Sequence, residues 1–212
     1  MSMPRLHGYY RSSAAFRVRI ALNLKGIAWE PVPVNLLAGE QRSAGYLARN
    51  PQGLVPALEL PDGSVLTQSH AIIEWLEEYR PEPPLLPREP LERARIRAIC
   101  DAVACDIHPL NNLRVLRYLE HTLGEGKDAR DAWYRHWVRE GFAALEQQVG
   151  NGNFCAGESP GMAEAFLVPQ VYNALRFEVD MREFPRIESL YARCLALGPF
   201  ADAHPDAQPD RP

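Results

Sequence analysis

The sequence predicts an α/β domain followed by an all-helical domain, and three observations carry that prediction. The first eighty residues alternate short apolar runs with amphipathic ones. A proline-dense break follows, with five prolines among residues 80–90 (RPEPPLLPREP). Beyond it, apolar residues recur at helical spacing almost throughout.

Residues 6–10 are short, apolar and aromatic, and read as a strand. Residues 13–25 read as a helix, with Ala14, Val18, Ala21, Leu22 and Leu24 near helical spacing and Gly26 just past the end. Residues 27–35 (IAWEPVPVN) read as a strand. Pro31 and Pro33 put it at a sheet edge, because proline cannot donate to a ladder. After a polar loop, residues 57–60 and 64–67 flank Pro61-Asp62-Gly63, a hairpin turn. Residues 69–79 then form an amphipathic helix that buries Ile72, Ile73 and Leu76. The order β-α-β, loop, β-β-α is that of a thioredoxin-like unit.

The first domain is therefore set at 1–82, a stiff proline-rich linker at 83–90 and the helical domain at 91–212. In the latter, Ile96, Ile99, Val103, Ile107 and Leu110 stripe one long helix, which Pro109 is expected to kink. Further helices are expected over 129–149, 162–177 and 187–197. Residues 203–212 read as an extended tail.

Composition narrows the function. The 212 residues are 46% hydrophobic and 24% charged, enough to bury a core. The net charge of −4 argues against nucleic acid as a partner, since phosphate neutralisation needs a concentrated basic face. The longest uncharged stretches, 147–157 and 165–175, are too short to cross a membrane, and the start lacks the apolar run of a secretion signal. Cys100, Cys105, Cys155 and Cys194 show no CxxC spacing, so neither a disulfide scaffold nor a zinc ribbon is expected. None of the four precedes residue 100.

Four places can carry chemistry. At the junction of the first strand and helix, Arg11-Ser12-Ser13-Ala14-Ala15-Phe16-Arg17 offers a helix N-terminus, which either serine can cap and which also attracts an anion. Redox enzymes of this fold place cysteines there, so with serine and alanine any thiol must come from elsewhere. Pro56, after Val55, marks a strand start or a cis bond. Gln68-Ser69 opens the next helix, as a cap or as a carboxylate site. Asp101, Cys105, His108 and Asn112 form a polar stripe, either a solvated face or part of a site, and no metal is expected there. Arg176 closes an apolar helical run, where a cation also suits the dipole.

Together these segments resemble a known family. YYRSSAAFRVRIALNLKG (9–26), NPQGLVPALEL (50–60), LTQSHAIIEWLEE (66–78), DIHPLNNLRVL (106–116) and FLVPQVYNALRFEVD (166–180) are similar to the zeta class of glutathione transferases, in the same order and over nearly the whole chain. The resemblance implies glutathione as cofactor, with Ser12 and Ser13 at its sulfur and Ser13 the better donor to the thiolate. It places the Val55 backbone, before a cis Pro56, on the cysteinyl part, Gln68 and Ser69 on the γ-glutamyl end, and Gln41 near the glycyl end. His108, Asn112 and Arg114 match helical-domain positions that contact cofactor and substrate. Arg11 and Arg176 match arginines suited to substrate carboxylates.

The implied activity is glutathione-dependent cis–trans isomerisation of a small dicarboxylate with a conjugated cis double bond. Maleylacetoacetate is the expected substrate and maleylpyruvate the alternative. A transferase or dehalogenase activity, and a non-catalytic ligand-binding module, are the remaining alternatives. A cytoplasmic homodimer is also implied. Two departures stand out. Ala14 replaces the cysteine that often follows the two serines, and Gly161-Met162-Ala163-Glu164 replaces the usual Ser/Thr-x-x-Asp helix start. The second touches folding: either Gly161 caps, at a cost of a few tenths of a kcal/mol, or Ser159-Pro160 restarts the helix earlier.

Overall fold

The computed structural model describes residues 3–212. They divide into two compact units, one of residues 3–85 with 195–212 and one of Leu86–Cys194.

The first unit is built on a four-stranded sheet in the order β2-β1-β3-β4. Its strands are β1 (Arg5–Gly8), β2 (Glu30–Pro33), β3 (Ala57–Glu59) and β4 (Val65–Thr67). β2 pairs parallel to β1 and lies at the edge, where its two prolines cost no ladder bond. β3 pairs antiparallel with both β1 and β4. The parallel β1–β2 pair requires a crossover, which is α1 (Ser13–Leu24). That helix ends in a Schellman motif: Ile27 N–H donates to Leu22 O (2.9 Å), Gly26 N–H donates to Asn23 O (3.0 Å), and Gly26 takes φ 61°. The β3–β4 hairpin turns at Gly63, φ 87°, and Asp62 Oδ1 accepts from Ser64 N–H at 2.8 Å. Leu6, Phe16, Ile20, Leu58, Ile72 and Leu76 fill the core. The polar loop after β2 holds a 3₁₀ turn, Glu40–Arg42, and the short α2 (Ala44–Leu47). α3 spans Ser69–Tyr79 as expected.

Two features of this unit depart from the expectations. Residues 15–22 are all buried, including Arg17 and Arg19, so α1 has no solvated face in its middle. The C-terminal segment is neither extended nor part of the helical unit. It forms α9 (Gly198–Ala201) and a 3₁₀ turn at Pro205–Ala207, and buries Phe200 and Ala203. Arg19 holds it by donating from Nε to Ala203 O at 2.9 Å, while its Nη2 donates to Tyr10 O at 3.0 Å. Asp210 Oδ2 accepts from Tyr10 N–H at 2.9 Å. Burial lowers the Arg19 pKa to about 9, with Asp210 opposing the shift.

The proline-rich run is anchored too. Lys25 Nζ donates to Pro83 O (2.8 Å) and pairs with Glu77, whose Oε2 also accepts from Leu85 N–H at 2.9 Å.

The second unit is helical: α4 (Pro90–Asp101), α5 (Leu113–His121), α6 (Lys127–Gln148), α7 (Met162–Arg176) and α8 (Pro185–Leu195). Ile96, Ile99, Val103 and Ile107 are buried as the stripe requires. The helix does not run on through a kink. It widens into a π-helical segment, Ala102–Ile107, then unwinds, and α5 starts anew with Asn112 as N-cap. Pro109 explains this: it lacks an N–H, and its ring abuts the carbonyl four residues back. Gly141 of α6 makes room for the segment, since a Cβ there would sit 2.3 Å from Ile107 Cγ1 and Cδ1. At the start of α7, Gly161 is the N-cap and donates its N–H to Glu164 Oε2 at 2.7 Å, so the helix does not begin earlier at Ser159-Pro160.

Candidate functional site

Strand register determines what gathers at one end of the sheet. His7 near the end of β1, Ala57 at the start of β3 and Thr67 at the end of β4 are successive partners across the ladder. The chain leaving β1 enters α1, the chain leaving β4 enters α3, and the chain entering β3 comes from Val55-Pro56. Ser12-Ser13, Val55-Pro56 and Gln68-Ser69 are thereby brought to the same end.

The two serines do different work. Ser12 is the N-cap of α1, its Oγ accepting from Ala15 N–H at 3.2 Å. Ser13 is the first helical residue and is 5% exposed. The N-terminal N–H groups of α1 and the positive end of its dipole therefore surround Ser13. Arg11 is half-buried, with its guanidinium 5.3 Å from the Tyr10 ring. Burial raises the Tyr9 hydroxyl pKa, and Arg11 pulls the other way.

The Val55–Pro56 peptide is cis. The Leu54 carbonyl before it accepts from Tyr46 Oη at 2.6 Å and from Asn50 Nδ2 at 2.8 Å. Burial pushes the Tyr46 hydroxyl up to about 12, so it stays a donor. Gln68 adopts φ 68° and ψ 116°, a left-handed conformation rare outside glycine, and its Nε2 donates to Gln52 Oε1 at 2.7 Å. Strain of this kind clusters at ligand-binding positions. Ser69, at the first position of α3, accepts on Oγ from Arg17 Nη1 at 3.2 Å. Gln41 lies in the 3₁₀ turn with 8% exposure, and its Oε1 has no hydrogen-bond partner.

In the helical unit the polar stripe is reshaped by the π segment. His108 follows it directly, and Asn112 Nδ2 lies 3.5 Å from His108 Nε2. Asn112 Oδ1 accepts from Arg114 N–H at 3.1 Å, which caps α5 and leaves the Arg114 side chain exposed. Arg176, in the last turn of α7, donates from Nη1 to Asn173 Oδ1 at 3.3 Å. Its guanidinium lies 5.9 Å from both the Tyr172 and Phe177 rings, and Phe177 stacks on Tyr134 with centroids 3.6 Å apart. Burial raises the Tyr134 hydroxyl pKa, with Arg176 opposing. Among the described residues no cluster of His, Cys, Asp and Glu suits a metal ion.

Sequence reasoning included Arg17 in the segment at the start of α1 but gave it no role, and it did not single out Gln52, Tyr134 or Asn173. A charged residue inside a helical pattern reads as solvated, and nothing in residue spacing links Gln52 to Gln68. Asn173 alone left a signal, three residues before Arg176 on one helix face.

The model for the glutathione S-transferase N-terminal domain matches residues 11–79. The chain is 48% identical over 210 residues to maleylacetoacetate isomerase of Pseudomonas aeruginosa, covering 98% of this chain and 99% of that relative. Among solved structures it is similar to holo maleyl pyruvate isomerase, described as a bacterial glutathione S-transferase of the zeta class. The TM-score is 0.95 at 44% identity, over 98% of this chain and 100% of that one. Maleylacetoacetate isomerase from Methylobacterium extorquens AM1, with bound malonate and GSH, gives a TM-score of 0.94 at 43% identity, over 98% and 99%.

Proposed function

Because the chain belongs to the zeta class of glutathione transferases, we propose that it is a glutathione-dependent cis–trans isomerase converting maleylacetoacetate to fumarylacetoacetate. The observation that carries this reading is the convergence of Ser13, cis Val55–Pro56 and Gln68-Ser69 at one end of a sheet that offers no cysteine of its own.

The residues fit glutathione. Two helix N-termini there favour anionic groups, and the buried Gln41 Oε1 awaits an N–H donor such as a peptide ligand carries. When bound, glutathione supplies a thiolate whose reversible addition to the conjugated double bond permits rotation. The chain's own residues do the rest. Ser13 and the first N–H groups of α1 hold negative charge at the sulfur position, drawing the thiol pKa down from ~8.5. The Val55 backbone holds the cysteinyl part, Gln68 and Ser69 bind the γ-glutamyl carboxylate, and Gln41 receives the glycyl end. Arg11 and Arg176 suit substrate carboxylates, and His108, Asn112 and Arg114 are the helical-domain residues assigned to cofactor and substrate. The donor for the developing enolate is Ser12, whose hydroxyl hydrogen is not consumed by its capping bond, or His108, or a backbone N–H. The reading includes a cytoplasmic homodimer. Among the described residues no helix is long and apolar enough to cross a membrane.

Maleylpyruvate is the second reading, favoured by the 0.95 TM-score to a maleyl pyruvate isomerase. Both substrates share the maleyl enone, a cis double bond conjugated with a ketone, and differ in the appended carboxylate arm. Rates on the two diacids, with and without glutathione, test the proposal. Turnover of neither refutes it, and faster turnover of maleylpyruvate moves the assignment to the second reading.

A further inference from the structure

We propose that Arg17 is a positioning residue for glutathione binding that acts through Ser69, turning the Ser69 hydroxyl hydrogen toward the γ-glutamyl carboxylate. The inference rests on the glutathione reading above.

Arg17 is buried in the middle of α1, with 2% of its surface exposed. It stands one helical turn beyond Ser13 on the same face. Its Nη1 donates to Ser69 Oγ at 3.2 Å, and Ser69 is itself only 6% exposed. A serine hydroxyl has one hydrogen and two acceptor lone pairs, whereas a guanidinium donates and never accepts. Once a lone pair of Ser69 is taken by Arg17, its hydrogen can be used only on the side away from the guanidinium. The hydroxyl is then a preset donor at the start of α3, added to the unpaired N–H groups of that terminus. The positive charge of the guanidinium, held in a buried setting, further favours an anion at Ser69.

A purely structural role, a brace between α1 and α3, makes a different prediction. It lowers stability without distinguishing ligands or involving the Ser69 hydroxyl. The experiment is calorimetric titration of the full-length wild type and of Arg17→Gln, Ser69→Ala and the double variant. Glutathione is one probe, and cysteinylglycine, which lacks the γ-glutamyl group, is the other, measured by competition. We expect Arg17→Gln to weaken glutathione about tenfold, leave cysteinylglycine unchanged, and add nothing further once Ser69 is alanine. Equal losses for both ligands, or additive losses in the double variant, overturn the proposal. If Arg17→Gln does not fold, Arg17→Met, which removes donor and charge but keeps an unbranched stem, is read the same way. Failure of that variant to fold as well overturns the proposal, by showing the role to be structural. A wild type that binds no glutathione refutes the functional reading itself, a result separate from any difference among the variants.

Discussion

In the α/β unit, the site residues are placed by regular structure. Ser12-Ser13 and Gln68-Ser69 follow strands whose register fixes where each helix begins, and Val55-Pro56 precedes the strand between them. In the helical unit, His108 and Asn112 are placed by an irregularity, a π segment closed by Pro109 and admitted by Gly141. The first arrangement tolerates side-chain change while keeping its backbone donors. The second depends on packing, because a widened helix turn persists only where neighbours leave it room.

That contrast can be tested from its strongest consequence downward. On the proposed function, Ser13→Ala removes one donor to the cofactor sulfur without disturbing the Ser12 cap. Turnover should fall about 10²–10³-fold, as at other preorganised anion sites, with an unchanged melting temperature. An unchanged rate removes Ser13 from the chemistry. Arg176→Ala should raise the KM for the maleyl substrate about tenfold or more, with little effect on glutathione affinity. The reverse pattern in steady-state kinetics assigns Arg176 to the cofactor instead. Gly141→Ala drives a methyl into Ile107 and should cost about 1–3 kcal/mol of stability, read from urea unfolding. A neutral result would show that the π segment does not depend on that close approach.

The smallest effect concerns acid stability. His7 Nε2 lies 2.8 Å from Glu59 Oε2, and this hydrogen bond, assisted by Arg5 and Arg49, holds the Glu59 carboxyl below its usual 4.5. Its contribution is present above pH 4.5 and is lost as the pH falls through the lowered value. Glu59→Gln should therefore flatten the acid limb of the stability curve by less than about 1 kcal/mol, as suits a partly exposed group. An unchanged slope in unfolding measurements would show that the pair adds nothing.

Much of the α/β unit was legible because its signals are local: Gly26 beyond α1, Pro61-Asp62-Gly63 between β3 and β4, and apolar residues at helical spacing in α3. The buried arginines were not legible. Arg17 and Arg19 meet partners far along the chain, Ser69 and Ala203, and no periodicity encodes such a pairing. The tail was misread for the same reason, since its prolines and polar residues look extended until Arg19 and Tyr10 bind its backbone and Asp210. At Pro109 the sequence marks an interruption but not its form. Whether a helix kinks or widens depends on the room that a distant glycine, Gly141, provides.

The central claim is that a chain with no thiol in its α/β unit borrows one. Its most direct test is isomerisation of maleylacetoacetate by the purified protein, followed with glutathione present and absent. Turnover that requires glutathione and saturates with it is the predicted result. Isomerisation at the same rate without glutathione, or none with it, would contradict the account.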